Sequence, residues 1–280
     1  MKIHSAGRLG NTLFIWAFAL EFSQNNKTQV SIFTDRFHSD VGNEARTTRE
    51  LLSDSRITFY NSDYYGGLLA AIDWTTGKSP RLGRELKKLL RVSDEWDPIT
   101  NKTRIIRGFF QYSDLVLKNQ SLIVEKLKNA INSIEQGSKK VQELKARYPR
   151  YQVIHVRLGD FVNSEYGIIS PCSYKSDLEP NIPTLVCTNG SKREILDIVD
   201  FPIVEILTPD ALNAWETLSL INGAAKFIGV NSTFSWWGAF LATSNGNTDY
   251  LPDRWMREGS IKDLNPLQLE GCIKYKAEFF

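Results

Sequence analysis

Val153-Ile154-His155-Val156-Arg157-Leu158-Gly159-Asp160 reads as an apolar β-strand that delivers His155 and Arg157 to its carboxyl end and then turns at a glycine. Ligands of open α/β sheets bind beyond the carboxyl ends of the strands. Residues two apart share one face of a strand, so His155 and Arg157 can converge on a single ligand. Arginine offers a planar, permanently charged fork that matches phosphate oxygens. An Arg157–Asp160 ion pair that merely closes the turn fits the same residues, and the pattern does not separate the two readings.

Working outward, short β-rich runs alternate with longer helical patterns, which predicts an α/β fold with parallel sheets. Strands are expected at 29–34, 56–60, 104–107, 151–156, 184–187, 203–207 and 226–230. Helices are expected at 11–23, 81–91, 192–199 and 209–223, and across 121–147 with an interruption at Gly137. A chain of 280 residues holds about two domains. The long charged helix and Pro149, a plausible helix stop, place the boundary near residue 148, giving domains 1–148 and 149–280.

Composition narrows the function. Thirty-four Lys and Arg stand against 32 Asp and Glu, a net charge of +2 that gives no general polyanion-binding surface, so nucleic acid is not the expected partner. Cys172, Cys187 and Cys272 have no metal-ligand spacing and suit a reducing compartment. Three histidines (His4, His38 and His155) make no zinc or iron cluster, and no Asp-x-Asp pair is present for Mg²⁺ or Mn²⁺. A site that works without metal is expected. The apolar stretch Leu13–Leu20, preceded by Lys2 and Arg8 and ending in Ala17-Phe18-Ala19, imitates a secretory signal, but eight residues suit a buried helix better and fall short of the roughly 20 that span a membrane. Residues 81–91 carry five cations and four leucines, a pattern open to a plain amphipathic surface helix or to peripheral contact with an anionic membrane face.

Two further segments carry chemistry. Lys226-Phe227-Ile228-Gly229-Val230 runs into Asn231-Ser232-Thr233-Phe234-Ser235-Trp236-Trp237-Gly238, a strand leading to a helix that opens with capping residues. Free N–H groups and the helix dipole make such an end an anion site; Ser232 or Thr233 as a simple cap, with Trp236, Trp237 and Phe240 in the core, is the plainer reading. Gly7-Arg8-Leu9-Gly10-Asn11 sets a glycine turn before a hydrophobic helix, with Arg8 and Asn11 available to a ligand. It is neither a Walker loop nor a complete G-x-G-x-x-G fingerprint. Close approach of a ligand to Gly7 and Gly10 and a tight turn fit it equally.

Together, the Gly7–Phe14 segment, Arg107-Gly108-Phe109-Phe110-Gln111-Tyr112, His155–Phe161 and Asn231–Leu241 resemble the bacterial α-1,2-fucosyltransferases of glycosyltransferase family 11. The resemblance implies a GT-B-like pair of Rossmann-type domains facing a cleft, the N-terminal one on the acceptor side and the C-terminal one binding a GDP-sugar. It implies inverting, metal-independent transfer of L-fucose from GDP-fucose, with no further cofactor, to a hydroxyl of galactose or another sugar during surface-glycan synthesis on the cytoplasmic side, at or near the inner membrane face. In this reading Arg157 neutralises the leaving diphosphate, and Asp160 is either the base or a group that orients Arg157. His155, Asn231, Ser232, Thr233 and Phe234 contact the donor, joined from the other domain by Gly7, Arg8, Gly10 and Asn11 as the domains close.

The chain departs from the family pattern where Leu158 stands in place of a common second arginine and Thr12 in place of a common glutamine. Leu158 therefore leaves open a transferase using another GDP-sugar, or a non-catalytic sugar-nucleotide-binding protein of the same fold. The proline-bearing segment 164–183 matches nothing in the pattern and is expected to shape acceptor choice.

Overall fold

Every pairing between named strands is parallel, and the strands form two separate sheets. The computed structural model describes residues 1–5, 7–34, 42–100, 103–257, 267 and 269–280; His38 lies outside them. Two compact units, Met1–Ile123 and Val124–Phe280, hold one sheet each.

The first sheet contains β1 (Lys2–His4), β2 (Val30–Thr34), β3 (Ile57–Asn61), β4 (Val92–Asp94) and β5 (Ile105–Arg107), in the order β3-β2-β1-β5-β4. With it come α1 (Leu9–Asn26), α2 (Gly42–Leu52), α3 (Asp63–Lys78), α4 (Pro80–Leu90) and α5 (Ser113–Lys118). The apolar stretch Leu13–Leu20 lies inside α1, where Leu13, Phe14, Ile15, Trp16, Ala17, Ala19 and Leu20 are buried. Because the stretch is apolar nearly all round, α1 is a core helix rather than a surface one.

The second unit's sheet contains β6 (Gln152–Val156), β7 (Thr184–Thr188), β8 (Glu205–Leu207), β9 (Lys226–Ile228), β10 (Thr248–Pro252) and β11 (Ile273–Tyr275), in the order β11-β10-β9-β6-β7-β8. Its helices are α6 (Gln120–Gly137), which starts at the edge of the first unit, α7 (Lys139–Arg147), α8 (Lys192–Ile198), α9 (Ala214–Asn222) and α10 (Thr233–Ser244). Counted from β6, the order is the 3-2-1-4-5-6 of a dinucleotide-binding doubly wound sheet. The chain reverses its direction of travel across the sheet between the adjacent strands β6 and β9, the switch point at which such sheets bind ligands.

The unit boundary falls at Ile123/Val124, ahead of the residue 148 expected from the sequence. Pro149 does end a helix, but α7 belongs to the second unit: Ser138 at its N-cap donates to Glu216 at the start of α9 at 2.6 Å, and Arg147 pairs with Glu205 of β8 at 2.9 Å. Segment 164–183 folds as two 3-10 turns at Pro171–Ser173 and Lys175–Asp177 around Tyr174, which is fully buried in the sheet's core. Among the described residues no helix is long and apolar enough to cross a membrane.

Candidate functional site

The residues singled out by sequence divide between the two units, with Gly7, Arg8, Gly10, Asn11 and the Arg107–Tyr112 segment in the first and the rest in the second. In the second unit, both walls of the switch point carry them. His155 sits near the end of the fully buried β6, and four residues separate the end of β9 from the start of α10. Ser235, in the first turn of α10, ties the walls together: its hydroxyl accepts from the Val230 N–H at 3.0 Å and shares a 2.7 Å hydrogen bond with His155 Nδ1. The His155 ring lies 5.1 Å from that of Phe234. Burial, and secondarily the charge of Arg157, push the His155 imidazole down to about 3, so it is neutral at physiological pH.

Arg157 leaves the strand with its side chain mostly covered, and one terminal nitrogen donates to both carboxylate oxygens of Asp160, at 2.8 and 2.9 Å. The ion pair that stood as the alternative reading of these residues is thus present. Asp160 itself is exposed, which leaves its carboxylate replaceable by another anion. The guanidinium also lies 5.1 Å from the Phe161 ring centroid, Phe161 stacks on Tyr166 at 5.0 Å, and the Tyr166 carbonyl accepts from Asn231 at 2.9 Å. This chain of contacts joins the arginine segment to the tryptophan segment.

Asn231 is buried, and its amide nitrogen also donates to the carbonyls of Trp255 at 3.0 Å and Gly167 at 3.4 Å. The nitrogen is therefore committed to backbone, whereas Oδ1 is buried without a hydrogen-bond partner among the described residues. Ser232 is the N-cap of α10 and accepts from the Phe234 N–H at 3.2 Å; Thr233 and Phe234 form the first turn. The cap and core packing of the plainer reading are present: Trp236, Trp237 and Phe240 pack the core behind the helix end, with Trp236 and Phe240 stacked at 5.4 Å. Gly238 makes that packing possible, since a Cβ there would lie 2.9 Å from the Phe227 ring.

Sequence reading missed Asn189, at the end of β7. It accepts from the Leu158 N–H at 2.7 Å and donates to the Leu158 carbonyl at 3.3 Å, fixing the backbone between Arg157 and Asp160. Asn189-Gly190 directly after a strand was the available signal, and Ser235 was visible as a hydroxyl among aromatics. Leu158 points into the apolar core with Ile154 and Val156, so this position does not present a side chain to the switch point.

In the first unit, Gly7 adopts φ +86, and a Cβ there would come within 2.4 Å of Asn11 Nδ2. Asn11 Oδ1 accepts from Gln111 Nε2 at 3.1 Å, which brings the glycine segment and the Arg107–Tyr112 segment together beyond the adjacent carboxyl ends of β1 and β5. Gly10 is buried in the first turn of α1, and the exposed Arg8 is its N-cap. Arg107 is paired with Asp94 and with Asp73, the latter at 2.6 Å, and so holds the sheet edge together. Among the described residues, no three His, Cys, Asp or Glu side chains are grouped to hold a metal ion.

No protein-family model matches the sequence, and no curated protein matches it either. Solved structures do resemble the fold. Fucosyltransferase NodZ from Bradyrhizobium aligns with a TM-score of 0.50 at 14% identity, over 86% of this chain and 93% of that one. E. coli ADP-heptose LPS heptosyltransferase II aligns with a TM-score of 0.48 at 11% identity, over 98% and 92%. The chain accordingly has the α/β architecture of GT-B glycosyltransferases, with two parallel sheets in two Rossmann-type units.

Proposed function

We propose that the protein is a glycosyltransferase that moves L-fucose from GDP-fucose to a hydroxyl of galactose or another sugar, with inversion, in an α-1,2 linkage, and without a metal ion. The observation that carries this reading is the pairing of a cationic side chain and a capped helix N-terminus at the switch point of a 3-2-1-4-5-6 sheet. The motif resemblance to family 11 supplies the donor and the linkage, and the fucosyltransferase with a TM-score of 0.50 is consistent with the chemistry.

In the proposed reaction the acceptor oxygen attacks the anomeric carbon as the bond from that carbon to the GDP oxygen breaks. Two negative charges gather on the departing diphosphate. Arg157 exchanges Asp160 for the diphosphate, and the free N–H groups of the first turn of α10, with Ser232 and Thr233, meet the remaining oxygens. Asp160 holds Arg157 in place before the donor arrives, and the acceptor proton passes to Asp160 or to a departing phosphate oxygen. His155 stays neutral; with the Ser235 hydroxyl donating to Nδ1, its Nε2–H remains for the donor. Asn231 Oδ1 and the Phe234 ring complete the donor contacts, while Arg8, Asn11, Gly7 and Gly10 contact substrate in the first unit.

The test is a transfer assay in EDTA with a panel of GDP-fucose, GDP-mannose and UDP-galactose, against acceptors ending in galactose. Fucosylated product from GDP-fucose alone, with the wild-type rate in EDTA, is expected. Transfer from another sugar nucleotide, or a strict requirement for added metal, would replace this reading.

A further inference from the structure

The amino ends of the first sheet's strands, opposite the end that carries Gly7–Asn11, border a cavity of about 1110 Å³ that the proposed reaction does not use. Among the described residues its lining contains Lys2, Arg91 and Arg104 and not one carboxylate. Arg91 and Arg104 are held side by side where β4 and β5 begin, because the Arg104 N–H donates to the Arg91 carbonyl at 2.9 Å. Neither has an acidic partner among the described residues, unlike Arg107 on the same strand pair, which is held by Asp94 and Asp73. Uncompensated neighbouring arginines favour an anion between them.

The rest of the rim mixes polar side chains, Asn26, Thr28, Thr100 and Thr103, with large apolar ones that are open to solvent. Tyr64 is 74% exposed, Leu89 77% and Ile99 39%, and all three line the cavity. Leu89 belongs to α4, which packs against α3 so closely at Gly83 that a Cβ there would lie 2.7 Å from the Thr76 backbone. Seven residues earlier, on the same side of α4, Leu82 is 59% exposed. Residues 78–91 carry six cations against the single carboxylate of Glu85, in a chain whose whole net charge is +2. Exposed leucines on a cationic helix beside a cation-lined cavity complement a surface that is anionic outside and apolar just beneath.

We infer that α4 and the adjoining cavity form a docking surface for an anionic phospholipid bilayer, with Leu82 and Leu89 entering the interface and a lipid phosphate lying between Arg91 and Arg104. The inference is independent of the donor assignment. It is tested by flotation of the full chain with vesicles of phosphatidylcholine alone and of phosphatidylcholine with about 30% phosphatidylglycerol. Binding only to the anionic vesicles is expected, weakening as salt is raised. Each removed cation should cost about fivefold in partition, so Arg81→Gln with Arg84→Gln should lose about 25-fold. Leu82→Ser with Leu89→Ser should also release the protein, and because all four side chains are exposed, circular-dichroism melts should match wild type. No binding, equal binding to both vesicles, or unchanged binding by both double variants would overturn the proposal. So would a dimer in solution that dissociates on Leu82→Ser/Leu89→Ser without vesicle binding, which would assign the face to a second copy of the chain.

Discussion

Replacing Arg157 with alanine should weaken GDP binding by about 10- to 150-fold while leaving the fold intact. The Arg157 side chain is 14% exposed, so its charge works in a medium between water and protein interior. At an effective dielectric constant of about 20, unit charges about 4 Å apart interact by about 4 kcal/mol. Against this stands the loss of Asp160, a partner 61% exposed, whose pair with Arg157 is worth about 0–1 kcal/mol. A hydrogen bond to a charged group nets about 1.5–3 kcal/mol, which gives the stated range at about 1.4 kcal/mol per decade. Titration calorimetry with GDP in EDTA reads the effect. Arg157→Lys, which keeps the charge and loses the fork, should fall between alanine and wild type. Asp160→Asn, which frees the guanidinium, should stay within about threefold of wild type. An Arg157→Ala variant with a native melting profile and wild-type GDP affinity would refute the assignment of Arg157 to the diphosphate.

His155 makes stability depend on pH. Its folded-state value of about 3 lies below the roughly 6.5 of the unfolded chain, so the unfolded state binds the extra proton between them; the contribution is complete above about pH 6.5 and is lost as pH falls toward 3. Urea unfolding should show wild type losing about 1.4 kcal/mol per pH unit more than His155→Gln in the lower part of that window, and equal slopes would contradict the burial argument. Asn189→Ala, which removes both hydrogen bonds to the Leu158 backbone, should cost about 1–3 kcal/mol in the same assay and weaken GDP binding; unchanged affinity would separate this asparagine from the positioning of Arg157. Gly238→Ala forces a methyl against the Phe227 ring and should cost about 1–3 kcal/mol, and a neutral result would mean that the core behind α10 gives way.

The strongest α/β elements were legible because their patterns are local. The runs at 152–156, 184–188 and 226–228 are apolar and bounded by turn residues, and Leu13–Leu20 is apolar all round. Three-residue strands such as Lys2–His4 and Val92–Asp94 are too short to show any period, and β10 and β11 at 248–252 and 273–275 gain their identity from pairing beside β9. Helix α3 was missed because three glycines and two threonines in Asp63–Lys78 dilute its pattern, although Ser62 caps it by accepting from Tyr65 at 3.4 Å. The expected helix at 209–223 starts only at Ala214, where Asn213 and Glu216 form a capping box.

At the candidate site, residue types were readable but their partners were not. Nothing in the sequence tells that the Asn231 nitrogen is spent on three carbonyls from two other loops, or that Ser235 couples β6 to α10. Those contacts join positions 24 to 80 residues apart and are created only by the strand order.

If Arg157 and the N-terminus of α10 bind a guanosine-diphosphate sugar without a metal, the nucleotide stabilises the folded chain in EDTA. The most direct measurement is the melting temperature of the full chain in EDTA with GDP-fucose, GDP-mannose or UDP-galactose. Stabilisation by GDP-fucose is expected to approach about 2.7 kcal/mol at a hundredfold excess over Kd and to be lost in Arg157→Ala. No shift with any guanine nucleotide, or a shift that appears only when metal is restored, would contradict it.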